Sequence, residues 1–302
     1  MERSGNIRLS VFTPSYNRAH TLGRTYKSLC SQTCKDFIWV IVDDGSTDNT
    51  ADMVKTWIDE ALIPIEYYYK NNGGMASAHN EAYKHIDTLL AVCVDSDDWM
   101  PNDGVEKILS KWEQDGSDRY AGIIGLDVFE NGNVVGAPFP AGLHACKVRD
   151  LDRKHKAHGD KKYVYVVKTI KKYLPFYEYG NERSGGVNYL YQVMDNEYDM
   201  LCDNTPYCVV EYQADGLSAS IFNQYATSPH IYLSIRETLI SVLDRKTDKF
   251  RHAIHYVSSA VFAKDAGALL RTKNKWYVWC AVPLGILLNI YIRFKRWQVR
   301  MK

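Results

Sequence analysis

The chain has no Cys-x-x-Cys pair. Its seven cysteines (Cys30, Cys34, Cys93, Cys146, Cys202, Cys208 and Cys280) form an odd set, several within apolar runs. That argues against a disulfide framework and for buried, reduced thiols. Charge of one sign is also lacking overall. The 37 basic and 36 acidic side chains leave a net +1, so no general attraction to nucleic acid is expected. MERSGNIRLS at the start holds no apolar core of the secretory type, and a cytosolic compartment is the expectation. No internal repeat is visible. Acidic residues are missing after Asp265, so residues 271–302 carry eight positive charges and no negative one.

What is present is enough apolar material, 46% of 302 residues, for a full core, in one large domain or a domain with an extension. Strand-length runs alternate with helical patterns from Arg8 to about Asp98. Strands are expected at Arg8–Phe12, Phe37–Val42, Ile65–Tyr69 and Leu89–Val94. Helices are expected at Thr21–Ser31, after Asp48 or Ser46, at Ala76–His85, and from Pro101 through Trp112. That βα alternation predicts an α/β fold with a doubly wound parallel sheet. An Asn131-Gly132 hairpin follows, and the charged run Asp150–Lys162 reads as a surface loop. Tyr163–Tyr173 fits helix or strand, Val187–Met194 a short helix, and Tyr207–Tyr212 a strand. Helices dominate from Thr227, with Ile231–Leu243 and Phe250–Phe262 the clearest.

The chemistry concentrates where strands end. Asp95, Ser96 and Asp97 close the run LLAVCV, and two carboxylates one residue apart can share a divalent cation and the phosphates it carries. Asp43 and Asp44 close the second strand, and Thr13, Pro14, Ser15 and Tyr16 close the first. Three such polar ends suit a ligand crevice at the carboxyl edge of a parallel sheet. Taken alone, an acidic loop tip is more often only solvated.

The runs VFTPSYNR, VDDGSTDNT, NNGGMASAHN and VDSDDWMPNDG resemble, in order and spacing, those of family 2 glycosyltransferases, which have the GT-A fold. The resemblance covers about residues 8–110. From Gly159 to Ser220, GDKKYVYV and EYQADGLSAS more faintly resemble a bacterial subgroup that builds capsule, lipopolysaccharide or other surface polysaccharides. It implies a GT-A, Rossmann-like, mostly parallel sheet flanked by helices. Residues 1–220 would form the sugar-nucleotide and acceptor domain, with a nucleotide half of about 1–110. Residues 221–302 would form a helical extension.

The resemblance also implies residue roles. Thr13, Pro14, Ser15, Tyr16 and Asn17 would receive the nucleotide, Tyr16 against base or ribose. An Asp at Asp43 or Asp44 would accept a hydrogen bond from uracil. Ser46, Thr47 and Asp48 read as turn and cap residues. Gly73 and Gly74 would let backbone pass close to ligand. His79, followed by Asn80, stands where the family has Arg, which removes a permanent cation near the diphosphate; as a nucleotide-sugar-binding residue it would donate a hydrogen bond, with a packed helix histidine as the alternative. Asp95 and Ser96 would face the ribose side, and Asp97 would hold Mn²⁺ or Mg²⁺. Asp98 reads as a turn cap and Asp103 as helix-start chemistry. An inverting transfer also needs a carboxylate to take the acceptor's proton. Glu182, in EYGNERSGGVNYLYQV, is the candidate, ahead of Glu178 and Asp195; a further family acid would fall near Gly186–Asn188, where none stands.

The resulting expectation is an inverting, metal-dependent enzyme moving a hexose from a nucleotide sugar, most readily UDP-linked, to a glycan hydroxyl on a lipid-linked acceptor. A non-catalytic sugar-nucleotide-binding or scaffold protein of the same fold is the alternative. A processive synthase is disfavoured because Arg293 stands where a Gln-x-x-Arg-Trp motif needs Gln. A nucleotidyltransferase is disfavoured because no GxGxR-type loop follows the first strand. The tail carries an uncharged stretch of 17 residues, Trp276–Ile292, flanked by cations and aromatics. It would extend roughly 25 Å as helix, short of a ~30 Å hydrocarbon core. An interfacial anchor at 271–302 on the inner face of the cytoplasmic membrane is expected, with a span or a helix docked on its own domain as alternatives.

Overall fold

A computed structural model describes residues 7–211 and 221–300. It divides into two compact units whose segments interleave along the chain: residues 1–72, 78–175 and 197–213 form one, and residues 73–77, 176–196 and 214–302 the other.

The first unit is built on an eight-stranded sheet. Its strands are β1 (Leu9–Ser15), β2 (Phe37–Asp43), β3 (Ile65–Tyr69), β4 (Leu90–Cys93), β5 (Tyr120–Val128), β6 (Ala145–Cys146), β7 (Lys161–Val166) and β8 (Asp199–Val209). They lie in the order β3-β2-β1-β4-β7-β5-β8-β6. Every residue of β2 is buried, as a central strand covered on both faces requires, while the edge strand β3 is mostly half-buried. Helices α1 (Leu22–Cys30), α2 (Thr50–Glu60), α3 (Met75–His85), α4 (Gly104–Asp115) and α5 (Val167–Ile170) connect the strands. α1 buries Leu22, Tyr26 and Leu29 at helical spacing, and Tyr26 stacks on Trp57 at 4.3 Å between ring centroids.

Strands β1 to β4 run parallel as expected, but the sheet is not wholly parallel. β7 enters antiparallel between β4 and β5. The Asp150–Lys162 segment is therefore not all surface loop. Its last two residues begin β7 and are buried, and their side chains leave on opposite faces. Lys161 Nζ donates to the carbonyl oxygen of His158 at 2.9 Å, while Lys162 Nζ lies 3.7 Å from Asp98 and 3.8 Å from Asp127. The hairpin forms its turn, with Gly132 N–H donating to Phe129 C=O, but its second arm is one bridge, Val128 to Val134. Residues 207–209 end β8; Tyr212 lies outside the described residues.

The second unit contains α6 (Tyr189–Met194), α7 (Ile221–Thr227), α8 (Pro229–Val242), α9 (Lys246–Ala263), α10 (Ala268–Arg271) and α11 (Lys275–Arg300). Leu233, Ile240, Ala253, Val257, Val278 and Ala281 are among the residues of its core. α11 is 26 residues long, because the flanking cations continue the helix that the apolar stretch begins.

Candidate active site

Parallel pairing brings the ends of β1, β2 and β4 to one edge of the sheet. Ser15 lies opposite Asp43, and Phe12 opposite Cys93. Thr13 is a strap there: its hydroxyl donates to Val94 C=O at 2.8 Å and accepts from Trp39 Nε1 at 2.9 Å. Pro14 pairs with Val42 in the ladder. The hydroxyl of Ser15 is buried without a hydrogen-bond partner, a polar atom available to a ligand. Tyr16 is exposed beside it. Asn17 adopts φ +53°, donating its N–H to Ser46 Oγ at 2.9 Å while its Oδ1 accepts from Thr47 N–H at 2.8 Å. Asp48 accepts from the N–H groups of Ala19 and Thr50 and from the Thr50 hydroxyl. Ser46, Thr47 and Asp48 thus tie the β1 loop to the β2 loop at the entry to α2.

Both acids after β2 have partners. Asp43 Oδ1 accepts from Ser46 N–H at 2.7 Å and Oδ2 from the Tyr67 hydroxyl at 2.6 Å; burial and that carboxylate push the Tyr67 hydroxyl well above the usual phenol range. Asp44 Oδ1 takes Lys70 Nζ at 2.7 Å. Sequence pattern does not single out Tyr67 or Lys70: Tyr67 lies inside β3 opposite Ile41, and Lys70 directly follows the strand, whose last residue Tyr69 pairs with Asp43.

The third strand end carries the acidic tip. Asp95 is exposed, Ser96 buried and Asp97 half-buried. Burial raises the Asp97 carboxyl above its usual range and the Asp95 charge adds to the rise, against Arg18 and Arg24. Among the described residues no group of three or more His, Cys, Asp or Glu side chains could hold a metal ion; Asp95 and Asp97, beside the buried Ser96, would instead offer oxygen donors of the kind a hard divalent cation takes when phosphate oxygens and water complete its shell. Asp98 is not a surface cap: it is 6% exposed, and burial together with the charges of Asp95, Asp97 and Asp127 pushes it up to about 7, against the Lys162 ammonium. Burial acts to lower the Lys162 ammonium, but Asp127 and Asp98 outweigh it and hold that cation well above its ordinary range. Arg24 braces the tip, donating to Asp97 C=O at 3.1 Å, pairing with Glu211 at 2.5 Å and lying 4.9 Å above the Trp99 ring. Next to it Trp99, Phe129, Glu130, Asn131, Val210 and Glu211 line a crevice of about 500 Å³.

His79 is buried, edge-on to Phe12 and 3.8 Å from Cys93 Sγ. Burial lowers it to about 4, against the pull of Asp95, so at neutral pH it is uncharged.

Gly74 and Glu182 belong to the second unit. Gly74 has φ +85°, and a Cβ there would meet Arg183 C=O at 1.9 Å, so the position admits only glycine. Glu182 caps α8: Oε2 accepts from Ile231 N–H at 2.9 Å, and Oε1 accepts from His230 N–H at 3.1 Å and lies 2.6 Å from His230 Nδ1. The His230 ring stacks on Tyr179 at 4.0 Å. Among the alternatives to Glu182, Asp195 is 1% exposed at the end of α6. Most of EYQADGLSAS lies outside the described residues.

Residues 10–144 match the family described as Glycosyl transferase family 2. Glycosyltransferase GlyA of Streptococcus pneumoniae is 32% identical over 106 residues, covering 34% of this chain and 15% of that protein. Poly(ribitol-phosphate) β-N-acetylglucosaminyltransferase TarP of Staphylococcus aureus is 29% identical over 143 residues, covering 43% of each. The chain thus spans less than half the length of these relatives. Among solved structures, S. aureus TarS 1–349 with UDP-GlcNAc superposes with a TM-score of 0.60 at 19% identity, over 88% of this chain and 76% of that one. The mannosyltransferase PcManGT of Pyrobaculum calidifontis, with GDP-Man and Mn²⁺, gives 0.56 at 13% identity, over 94% and 87%. Over residues 10–144, therefore, the chain carries a glycosyltransferase family 2 domain, set in a GT-A fold.

Proposed function

We propose that this protein transfers a hexose from a nucleotide sugar, UDP-linked, to a glycan hydroxyl during bacterial surface-polysaccharide synthesis such as that of capsule or lipopolysaccharide, with inversion at the sugar carbon. One observation carries the reading: the ends of β1, β2 and β4 converge on one sheet edge, with a buried unpartnered hydroxyl at Ser15 and paired carboxylates at Asp95 and Asp97. The TarS complex with UDP-GlcNAc and the PcManGT complex with GDP-Man and Mn²⁺ support a nucleotide-sugar donor, and the latter supports a divalent ion.

In this reading Tyr16 lies against the nucleoside, Ser15 hydrogen-bonds it, and Asp43 and Asp44, held by Tyr67 and Lys70, shape the pocket for the base. Ser96 and Asp95 meet the ribose side. Asp97 would hold Mn²⁺ or Mg²⁺, which when bound would supply positive charge beside the departing diphosphate. Neutral His79 cannot share that duty. The acceptor oxygen forms its bond to the anomeric carbon opposite the departing phosphate. The old carbon–oxygen bond breaks, and its electron pair leaves with the nucleoside diphosphate. Glu182 is engaged in capping, so the proton is taken through the Glu182–His230 pair, the carboxylate fixing the imidazole as in other acid–histidine pairs. A lipid-linked acceptor at the inner face of the cytoplasmic membrane completes the reading. The alternative of a non-catalytic binding protein draws on the same capping bonds of Glu182 and on the uncharged His79.

Incubation with UDP-sugars and Mn²⁺ tests the proposal. Donor hydrolysis should fall ~10²–10³-fold in Asp97→Ala, the scale of lost transition-state charge stabilisation. Glu182→Gln and His230→Gln should each lower transfer ~10²-fold with unchanged UDP affinity. Tight UDP binding without turnover in the unaltered protein would favour the non-catalytic reading.

A further inference from the structure

We infer that α11 lies flat on an anionic lipid surface, one face docked on its own unit and the other in the lipid interface. This deepens the membrane side of the function above and rests on it only for where the acceptor sits.

The docked face is narrow and continuous. Val278, Ala281, Gly285, Asn289 and Ile292 are buried at helical spacing. Their partners show that α11 runs parallel to α9: Lys249 Nζ lies over the Tyr277 ring, Asn289 Nδ2 donates to Ser258 C=O at 3.1 Å, and Arg293 lies over the Phe262 ring. A Cβ on Gly285 would stand 2.4 Å from Val257 Cβ, so glycine here sets the close approach of the two helices.

The opposite face is apolar throughout its middle. Every exposed position from Trp276 to Tyr291 is Trp, Cys, Pro, Leu, Ile or Tyr, with Trp276 78%, Leu287 61% and Ile290 58% exposed. Phe294 and Trp297 extend it. Nine of the eighteen large apolar side chains exposed among the described residues lie on this one helix, and such a concentration marks an interaction surface.

Charge selects the occupant. Lys273 and Lys275 precede the apolar face and Arg293 and Lys295 follow it, and none of the four makes an ion pair among the described residues. A second copy of this chain would set cation against cation in either a parallel or an antiparallel pairing, because no acid stands beyond Asp265. Anionic headgroups complement both clusters, and the indoles suit the headgroup level. The helix is long enough to cross a bilayer. A span is disfavoured all the same, since one face is sealed against α9 and Pro283 leaves the Trp279 carbonyl without its helical donor, which interfacial water satisfies and hydrocarbon does not.

The test is sedimentation of the full chain with phosphatidylcholine vesicles, with and without phosphatidylglycerol. The protein should pellet with the anionic vesicles only and be released by an alkaline carbonate wash. A Leu287→Glu/Ile290→Glu double variant should partition at least ~10-fold less. Hydrolysis of UDP-sugar in vesicle-free solution should be the same for both proteins, so failure of anchoring and failure of the enzymatic reading are separable. The inference is overturned by absent pelleting with anionic vesicles, by equal pelleting of the double variant, by carbonate-resistant binding, or by a dimer that the double variant splits without any lipid binding.

Discussion

In the sheet unit, Asp98, Asp127 and Lys162 are each less than 10% exposed; in the helical unit, Trp276, Trp279, Leu287 and Ile290 are each more than half exposed. The first group puts charge where water is scarce, the second puts hydrocarbon where water is plentiful. Ordinary core and surface residues do neither, so each exception asks what compensates it. Under the acidic tip the compensation is internal, one ammonium between two carboxylates. On α11 nothing within the described residues compensates, which turns attention to a lipid surface.

The largest expected effect breaks the first side of this comparison. Lys162→Met strands two buried carboxylates and should cost about 3–5 kcal/mol at neutral pH. The loss should shrink as pH falls and the carboxyls protonate; urea unfolding at pH 7.5 and 5 would show a constant deficit if the pairing were unimportant. On the other side, Gly285→Val should overpack the α9–α11 contact and cost about 1–3 kcal/mol, read as a lower melting temperature. His252 sharpens the contrast, being a buried neutral group in the helical unit. Its Nδ1 lies 2.9 Å from Arg236, and burial followed by the Arg236 charge lowers it to about 3. An unfolded histidine titrates near 6.5, so between those values the unfolded chain binds more protons and stability falls as pH falls. Relative to His252→Gln, the unaltered protein should therefore lose on the order of 1–2 kcal/mol between pH 7 and pH 4.5; an unchanged difference would refute the assignment. Smallest of all, Leu287→Ser should change stability in solution by less than about 0.5 kcal/mol, because that side chain contributes little to the fold. A large loss would mean the face is covered by the protein itself.

Legibility in the sequence followed the same divide. Strands ending at Ser15, Asp43 and Cys93 could be read because each is a short apolar run closed by polar residues, and local pattern decides that. β7 could not be read as antiparallel, since Lys161 and Lys162 look like surface charge until their partners, distant in sequence, are known. Asp98 looked like a cap for the same reason. In the second unit, Glu182 stands out from its place in a motif, yet its hydrogen bonds go to a helix starting 47 residues later, which no local pattern encodes. The tail's apolar run was visible, but the division of α11 into a docked and an open face depends on α9.

The claim that carries most weight is that Asp97 grips a divalent ion together with the donor's phosphates. Calorimetric titration of UDP with and without Mn²⁺, on the unaltered protein and on Asp97→Asn, addresses it directly. Manganese should tighten UDP binding in the first and leave it unchanged in the second. Equal tightening in both, or none in either, would contradict the account.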